Sequence, residues 1–172
     1  MGVSGCGKTT LGSALAEALV WRFVDGDTLH PPENIAKMAA GIPLQDADRL
    51  RFLERVAHAI AEQKQAGIVV ACSALRRSYR DFIRGRTGEV IFVVPVVARE
   101  VLVARLAQRR EHFMPPSLLD SQLDLLELPQ ADEQAVLLDG SCPTHIQVSQ
   151  ATAALRAQSK LLNLSGNDRV QH

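Results

Sequence analysis

Eight residues, Gly2-Val3-Ser4-Gly5-Cys6-Gly7-Lys8-Thr9, follow the spacing G-x-x-x-x-G-K-[ST] and confine the chain to a narrow class of folds. Glycines let a short loop curl until successive backbone N–H groups point inward, and a helix opening at its end adds a positive N-terminus. Such a concavity takes phosphate oxygens. A helix must then follow at once, and Thr10 to Leu19 is alanine- and leucine-rich as that requires. Gly2, Val3, Ser4, Gly5, Cys6, Gly7, Lys8, Thr9 and Thr10 are therefore the candidate phosphate-binding residues. In this pattern the lysine reaches the β- and γ-phosphates of a nucleoside triphosphate and the threonine hydroxyl serves Mg²⁺, so ATP and Mg²⁺ are the expected cofactors. Cys6 sits beside Lys8 and a helix N-terminus and is read as a small loop residue.

The loop should be fed by a buried hydrophobic strand, yet only Met1 precedes Gly2. The expectation is that Met1 is an internal start, that about five to ten mostly apolar residues belong upstream, and that without them the sheet carries a gap.

Short apolar runs alternate with longer amphipathic stretches along the rest of the chain, the pattern of a parallel α/β sheet with helices on both faces. The expected strands are Trp21–Val24, Ile68–Cys72, Val90–Pro95 and Ala135–Leu138. Asp46 is the expected N-cap of a helix to about Ala66, with Leu50, Leu53, Val56, Ala57 and Ile60 on one stripe and Gly67 as its stop. Further helices are expected over Arg99–Arg109, from Pro115-Pro116-Ser117 to about Leu126, and over Thr144–Leu161. Residues 105–128 thus read as a helical hairpin, a lid, within one domain spanning 1–162, and residues 163–172 as a frayed tail.

The 172 residues carry 19 basic and 19 acidic side chains, with no basic tract to suit nucleic acid. No apolar run is long enough to span a bilayer and the N-terminus lacks a signal-peptide pattern, so a cytoplasmic protein without a membrane partner is expected. Cys6, Cys72 and Cys142 are odd in number and widely spaced, which argues for reduced thiols.

A phosphate loop names a donor and leaves the acceptor open. Asp25-Gly26-Asp27-Thr28-Leu29-His30 follows the first of these strands, at the carboxyl edge where open α/β sheets bind ligands. Asp27 is placed to take a hydroxyl proton, and Asp25 to order a magnesium-bound water.

The run from Asp25 to Arg49, DGDTLHPPENIAKMAAGIPLQDADR, closely resembles the corresponding stretch of the gluconokinase family, as do CSALRRSYRDFIR from Cys72 and HFMPPSLLDSQ from His112. With GVSGCGKT and the later PQADE, these runs span Gly2 to Glu133 in the family's order. The resemblance implies an adenylate-kinase-like P-loop kinase, ATP and Mg²⁺, gluconate phosphorylated at its 6-hydroxyl, and a homodimer. A polyhydroxy carboxylate needs a fixed cation, for which Arg49 and Arg80 are candidates, with His30, Lys37 and Ser73 offered to its hydroxyls. Arg105 and Arg109, four apart on the expected lid, would close together over the phosphates, making Lys8, Asp27 and Arg109 the candidate catalytic set. Asn34 caps or braces the loop. His58, His145 and His172 are scattered and receive no role.

The chain departs from the family pattern at Glu111, where glycine is usual before His-Phe, at Leu50-Arg51-Phe52 after the DxDR segment, and at Leu123. Two other readings are a kinase for another small hydroxy acid, shikimate-like, and a non-catalytic nucleotide-binding product that cannot assemble its motifs.

Overall fold

The computed structural model describes residues 1–63, 66–108 and 118–167, with residues 159–167 as backbone only. Four short strands, β1 (Arg22–Asp25), β2 (Ile68–Ala71), β3 (Phe92–Val96) and β4 (Ala135–Asp139), fall within a residue or two of their sequence-derived positions. Between them run α1 (Lys8–Leu19), a 3-10 turn (Gly26–Leu29), α2 (Pro32–Ala39), α3 (Asp46–Glu62), α4 (Arg77–Thr87), α5 (Arg99–Ala107), α6 (Leu118–Leu125) and α7 (Thr144–Asn167).

Every strand pairing is parallel, as expected, but the sheet is in two halves. β1 pairs with β2, from Arg22 opposite Ile68 to Asp25 opposite Ala71, and β3 pairs with β4, from Phe92 opposite Ala135 to Val96 opposite Asp139. β2 and β3 do not pair. The expected gap lies between them, flanked by the backbone that leads into the phosphate loop: Gly2 N–H donates to the Ser73 carbonyl at 3.2 Å, and the Met1 amine to that of Val93.

Alternation along β2 and β3 sends successive side chains to opposite faces. Val69 and Val93 join Leu11 and Leu15 of α1, Leu138 of β4 and Ala151 of α7 on one face. Phe92 and Val94 join Phe52, Leu53 and Val56 of α3 with Tyr79 and Ile83 of α4 on the other. A third cluster, Val3, Cys6, Leu75, Leu102, Leu106 and Leu119, fixes the phosphate loop against α5 and α6.

The ends of two helices differ from expectation. Asp46 is the first residue of α3, and Gln45 is its N-cap, in a capping box with Asp48. Asp46 turns its carboxylate to the Tyr79 hydroxyl, at 2.6 Å, and to Arg76. α7 continues to Asn167, past the expected end at Leu161, because nothing between them breaks a helix except Gly166 near its end. Residues 109–117, which hold Arg109, Glu111 and the middle of the expected lid, lie outside the described residues.

Candidate active site

The phosphate loop is bent by residues that only glycine serves without strain: Gly5 and Gly7 have φ of 83° and 92°. At Gly5 a side chain would also press Leu106 of α5, at 3.2 Å from an added Cβ. Gly7 is the N-cap of α1, which has no side-chain cap and no acidic residue in its first turn. By contrast α3 carries its capping box and two first-turn aspartates. The N-terminus of α1 therefore keeps its N–H groups and partial positive charge for an anion from outside the fold.

Two side chains brace this loop. Gln122 of α6 accepts the Ser4 N–H through Oε1 at 2.7 Å. Arg105 of α5 donates to the Gly5 carbonyl at 3.3 Å and the Gly140 carbonyl at 3.0 Å, joining the loop to the turn after β4.

On the other side of the loop, β1 ends and the chain turns sharply. Gly26 permits this, because a Cβ there would stand 2.3 Å from the Ala71 carbonyl oxygen of β2. The Asp25 carboxylate caps the turn by accepting the Asp27 N–H at 3.0 Å. One cavity results, lined by Ser4, Lys8, Asp27, His30, Arg49, Ser73, Tyr79 and Gln122 among others.

His30 is buried and stacks on Phe52 with ring centroids 3.8 Å apart. Burial pulls its pKa down to about 4, so it is a neutral ring at physiological pH and a hydrogen-bonding group rather than a cation. Arg49 is only 9% exposed. It donates Nε to the Leu44 carbonyl at 3.2 Å and lies over the Tyr79 ring, 6.0 Å from its centroid. Among the described residues neither Arg49 nor Lys8 has an ion-pair partner. Burial pushes the Arg49 pKa down, the cost expected of a cation kept out of water and awaiting an anion.

The site thus sets a phosphate-receiving helix end beside a carboxylate, with a buried unpaired arginine in the same cavity. A family model described as shikimate kinase matches residues 4–160. A gluconokinase of Gluconobacter oxydans (strain 621H) is 48% identical over 142 residues, covering 81% of this chain and 80% of that protein. A thermosensitive gluconokinase of Escherichia coli (strain K12) is 46% identical over 140 residues, 80% of this chain and 74% of its own. The chain belongs to the gluconokinase family. A crystal structure of a gluconokinase from Sinorhizobium meliloti 1021 superposes with a TM-score of 0.87 at 43% identity, over 96% of this chain and 94% of the other. Shikimate kinase from Aquifex aeolicus, at 20% identity and a TM-score of 0.62 over 92% and 95% of the two chains, shares the fold.

Of the candidates for this gluconokinase-family site, the structure brings Ser4, Lys8, Asp27, His30, Arg49 and Ser73 to one cavity. Two others are engaged elsewhere. Arg80, fully buried, forms a fork with Glu133, Nε to Oε2 at 2.6 Å and Nη2 to Oε1 at 2.7 Å, and also donates to the Leu75 and Glu127 carbonyls. Its expected role toward substrate is corrected to a structural one, because its donors are already satisfied. Lys37 is held by both oxygens of Asp48 at 2.7 and 2.8 Å and does not line the cavity. Thr9 and Thr10 lie in the first turn of α1, and Asp25 faces its own turn. Gln122 and Tyr79 carry no mark in the sequence that places them in the cavity, and Phe52 stands out there only as a departure from the family pattern. A glutamine inside a resembling run carries no mark that its amide reads the loop backbone, and the pairing spans 118 positions of sequence.

Proposed function

We propose that the chain transfers the γ-phosphoryl group of ATP to the 6-hydroxyl of gluconate. The observation that carries this reading is Arg49, a buried cation without a carboxylate partner among the described residues, in the same cavity as Asp27 and Lys8. Gluconate has a carboxylate at one end and a primary hydroxyl at the other, so a site with a cation for one end and a base for the other suits it. The gluconokinase relatives, at up to 48% identity over most of the chain, support the same substrate.

In this mechanism Arg49 takes the substrate carboxylate, in the bidentate geometry a guanidinium offers. His30, neutral and held flat on Phe52, and Ser73 hydrogen-bond hydroxyls of the sugar acid. Asp27 orients the 6-hydroxyl and accepts its proton as oxygen attacks phosphorus in line. Lys8 and the N–H groups of Gly5, Gly7, Lys8 and Thr9 hold the phosphates and counter the charge that builds on the transferring group, while the Gly2 and Ser4 N–H groups shape the loop through Ser73 and Gln122. Arg105 steadies the loop and the nucleotide side, and Arg109, with the remainder of the 105–128 lid, adds a cation that closes over the phosphates.

Mg²⁺ would be held by the Thr9 hydroxyl with phosphate oxygens, and through water by Asp25, supplying charge neutralisation. No group of three or more metal-ligating side chains occurs among the described residues, which fits an ion that keeps its waters and binds largely through phosphate. A homodimer and a cytoplasmic location belong to the same reading. None of the described helices is long and apolar enough to cross a membrane.

The test is coupled measurement of ADP release with gluconate, shikimate and a nucleoside monophosphate in parallel. Gluconate should stimulate ATP consumption far above the water background. Equal stimulation by shikimate, or strong activity only with the monophosphate, would overturn the assignment.

A further inference from the structure

Asn34 of α2 is fully buried and does not line the candidate cavity, but it stands against His30, which does. The fold orients its amide. Nδ2 donates to the Asp48 backbone carbonyl of α3 at 2.9 Å, and Lys37, three residues on, holds the Asp48 carboxylate, so α2 is tied to α3 at this point. Turning the amide over would set Oδ1 against that carbonyl, oxygen to oxygen, and lose the bond. Oδ1 is enclosed and has no partner among the described residues, so the group the fold uses at this position is the NH₂.

The same Nδ2 lies 3.5 Å from His30 Nδ1. Facing an NH₂ group, Nδ1 has one role left, that of acceptor, because an Nδ1–H would set donor against donor. Burial holds the His30 pKa down at about 4, so the ring is neutral and carries a single hydrogen. With Nδ1 accepting, that hydrogen sits on Nε2. Nε2 has no hydrogen-bond partner among the described residues and is not one of the enclosed polar atoms, so it opens on the cavity that His30 lines. The ring is stacked on Phe52 with an interplanar angle of 8°, and a flip that exchanged the two nitrogens would have to sweep through the Phe52 face.

We propose that Asn34 is a positioning residue that fixes His30 as the Nε2–H tautomer, so that His30 donates to a hydroxyl oxygen of the acceptor substrate and cannot take a proton from it. The choice of a hydroxyl as ligand rests on the function proposed above. The consequence is a division of labour between two groups that could each have served as base. Asp27 is the one carboxylate among the described lining residues, and with the His30 lone pair turned to Asn34 it is left to receive the proton of the reacting hydroxyl.

The tautomer can be read directly from a long-range ¹H–¹⁵N spectrum of the histidine-labelled full chain near neutral pH, with His30 assigned by its loss in His30→Gln. Nε2 should carry the hydrogen, and Nδ1 should resonate as an unprotonated nitrogen. A wild-type ring protonated on Nδ1, or a mixture of the two forms, would overturn the proposal without any variant having to fold. Asn34→Leu removes the NH₂ at similar size. It should bring the Nδ1–H form into view and raise the gluconate KM about threefold to tenfold, the worth of one neutral hydrogen bond, with the ATP KM unchanged. A folded Asn34→Leu chain in which either the spectrum or the gluconate KM stayed as in the wild type would also overturn it. His30→Gln, which keeps a donor, should show a lower gluconate KM than His30→Leu, and equal values would mean that no donor is used. Were gluconate not phosphorylated, the choice of acid would fall, and the spectrum would still decide the tautomer on its own.

Discussion

Arg49 and Arg80 are both buried arginines, and their partners decide what each can do. Arg80 meets a carboxylate and carbonyls inside the fold, whereas Arg49 meets one carbonyl and an aromatic face and opens on the cavity. Arg49→Ala should raise the gluconate KM by about tenfold or more, since a hydrogen bond to a charged group contributes about 1.5–3 kcal/mol, with the ATP KM little changed. Unaltered gluconate kinetics would move the carboxylate site elsewhere. Asp27→Asn should keep ATP binding and lower kcat by about 10²-fold or more, in the range of lost acid–base catalysis, and Lys8→Ala should abolish transfer with the fold retained. His30 makes a pH prediction. Its pKa is about 4 folded against 6.5 ordinarily, so the unfolded chain binds the extra proton between those values. Its contribution to stability is complete above pH 6.5 and is lost as pH falls toward 4. Denaturant midpoints for the wild type and His30→Gln should converge from pH 7 to pH 5, and a constant difference would contradict the burial argument.

Strands were legible because parallel, doubly covered strands are continuous apolar runs, and α1, α3, α5 and α7 because caps and periodicity mark them. What stayed hidden were pairings that join distant elements. The Glu133 of PQADE looks like a loop residue, yet with Arg80 and Arg84 it ties α4 to the segment before β4. No local spacing signals such a bond, and the charged pair could be read equally as surface or as site. Removing one partner leaves the other buried and unpaired, so Arg80→Met should cost about 3–5 kcal/mol, measured by urea unfolding. The gluconate KM of the folded fraction should stay unchanged. A raised KM at unchanged stability would return Arg80 to the substrate site. These arginines hold the Glu133 carboxyl down at about 2 against 4.5 ordinarily, so its contribution is complete above pH 4.5 and fades as pH falls to 2.

Across the whole chain, donor and acceptor sites draw on both halves of the divided sheet. Asp27 and Ser73 come from just after β1 and β2 and Arg49 from α3, while Gln122, Arg105 and Gly140 come from beyond β3 and meet the loop that starts α1. With β2 and β3 unpaired, little backbone hydrogen bonding crosses between the halves, and ligands seated on the loop would bridge them. Any ligand that binds only the folded state stabilises it by RT ln(1 + [L]/Kd), about 2.7 kcal/mol at a hundredfold excess over Kd. For a domain of this size that corresponds to a rise in Tm of about 5–11 °C. We expect a non-hydrolysable ATP analogue with Mg²⁺ to raise Tm by that order, gluconate to add to it, and shikimate to add nothing. Amide protection should rise in β1 and β4 together, because the bridge couples both halves, and protection confined to one half would show that they respond separately. A rise with shikimate equal to that with gluconate would mean that the Arg49 cavity does not discriminate between small hydroxy acids, and the acceptor would then have to be sought by turnover alone.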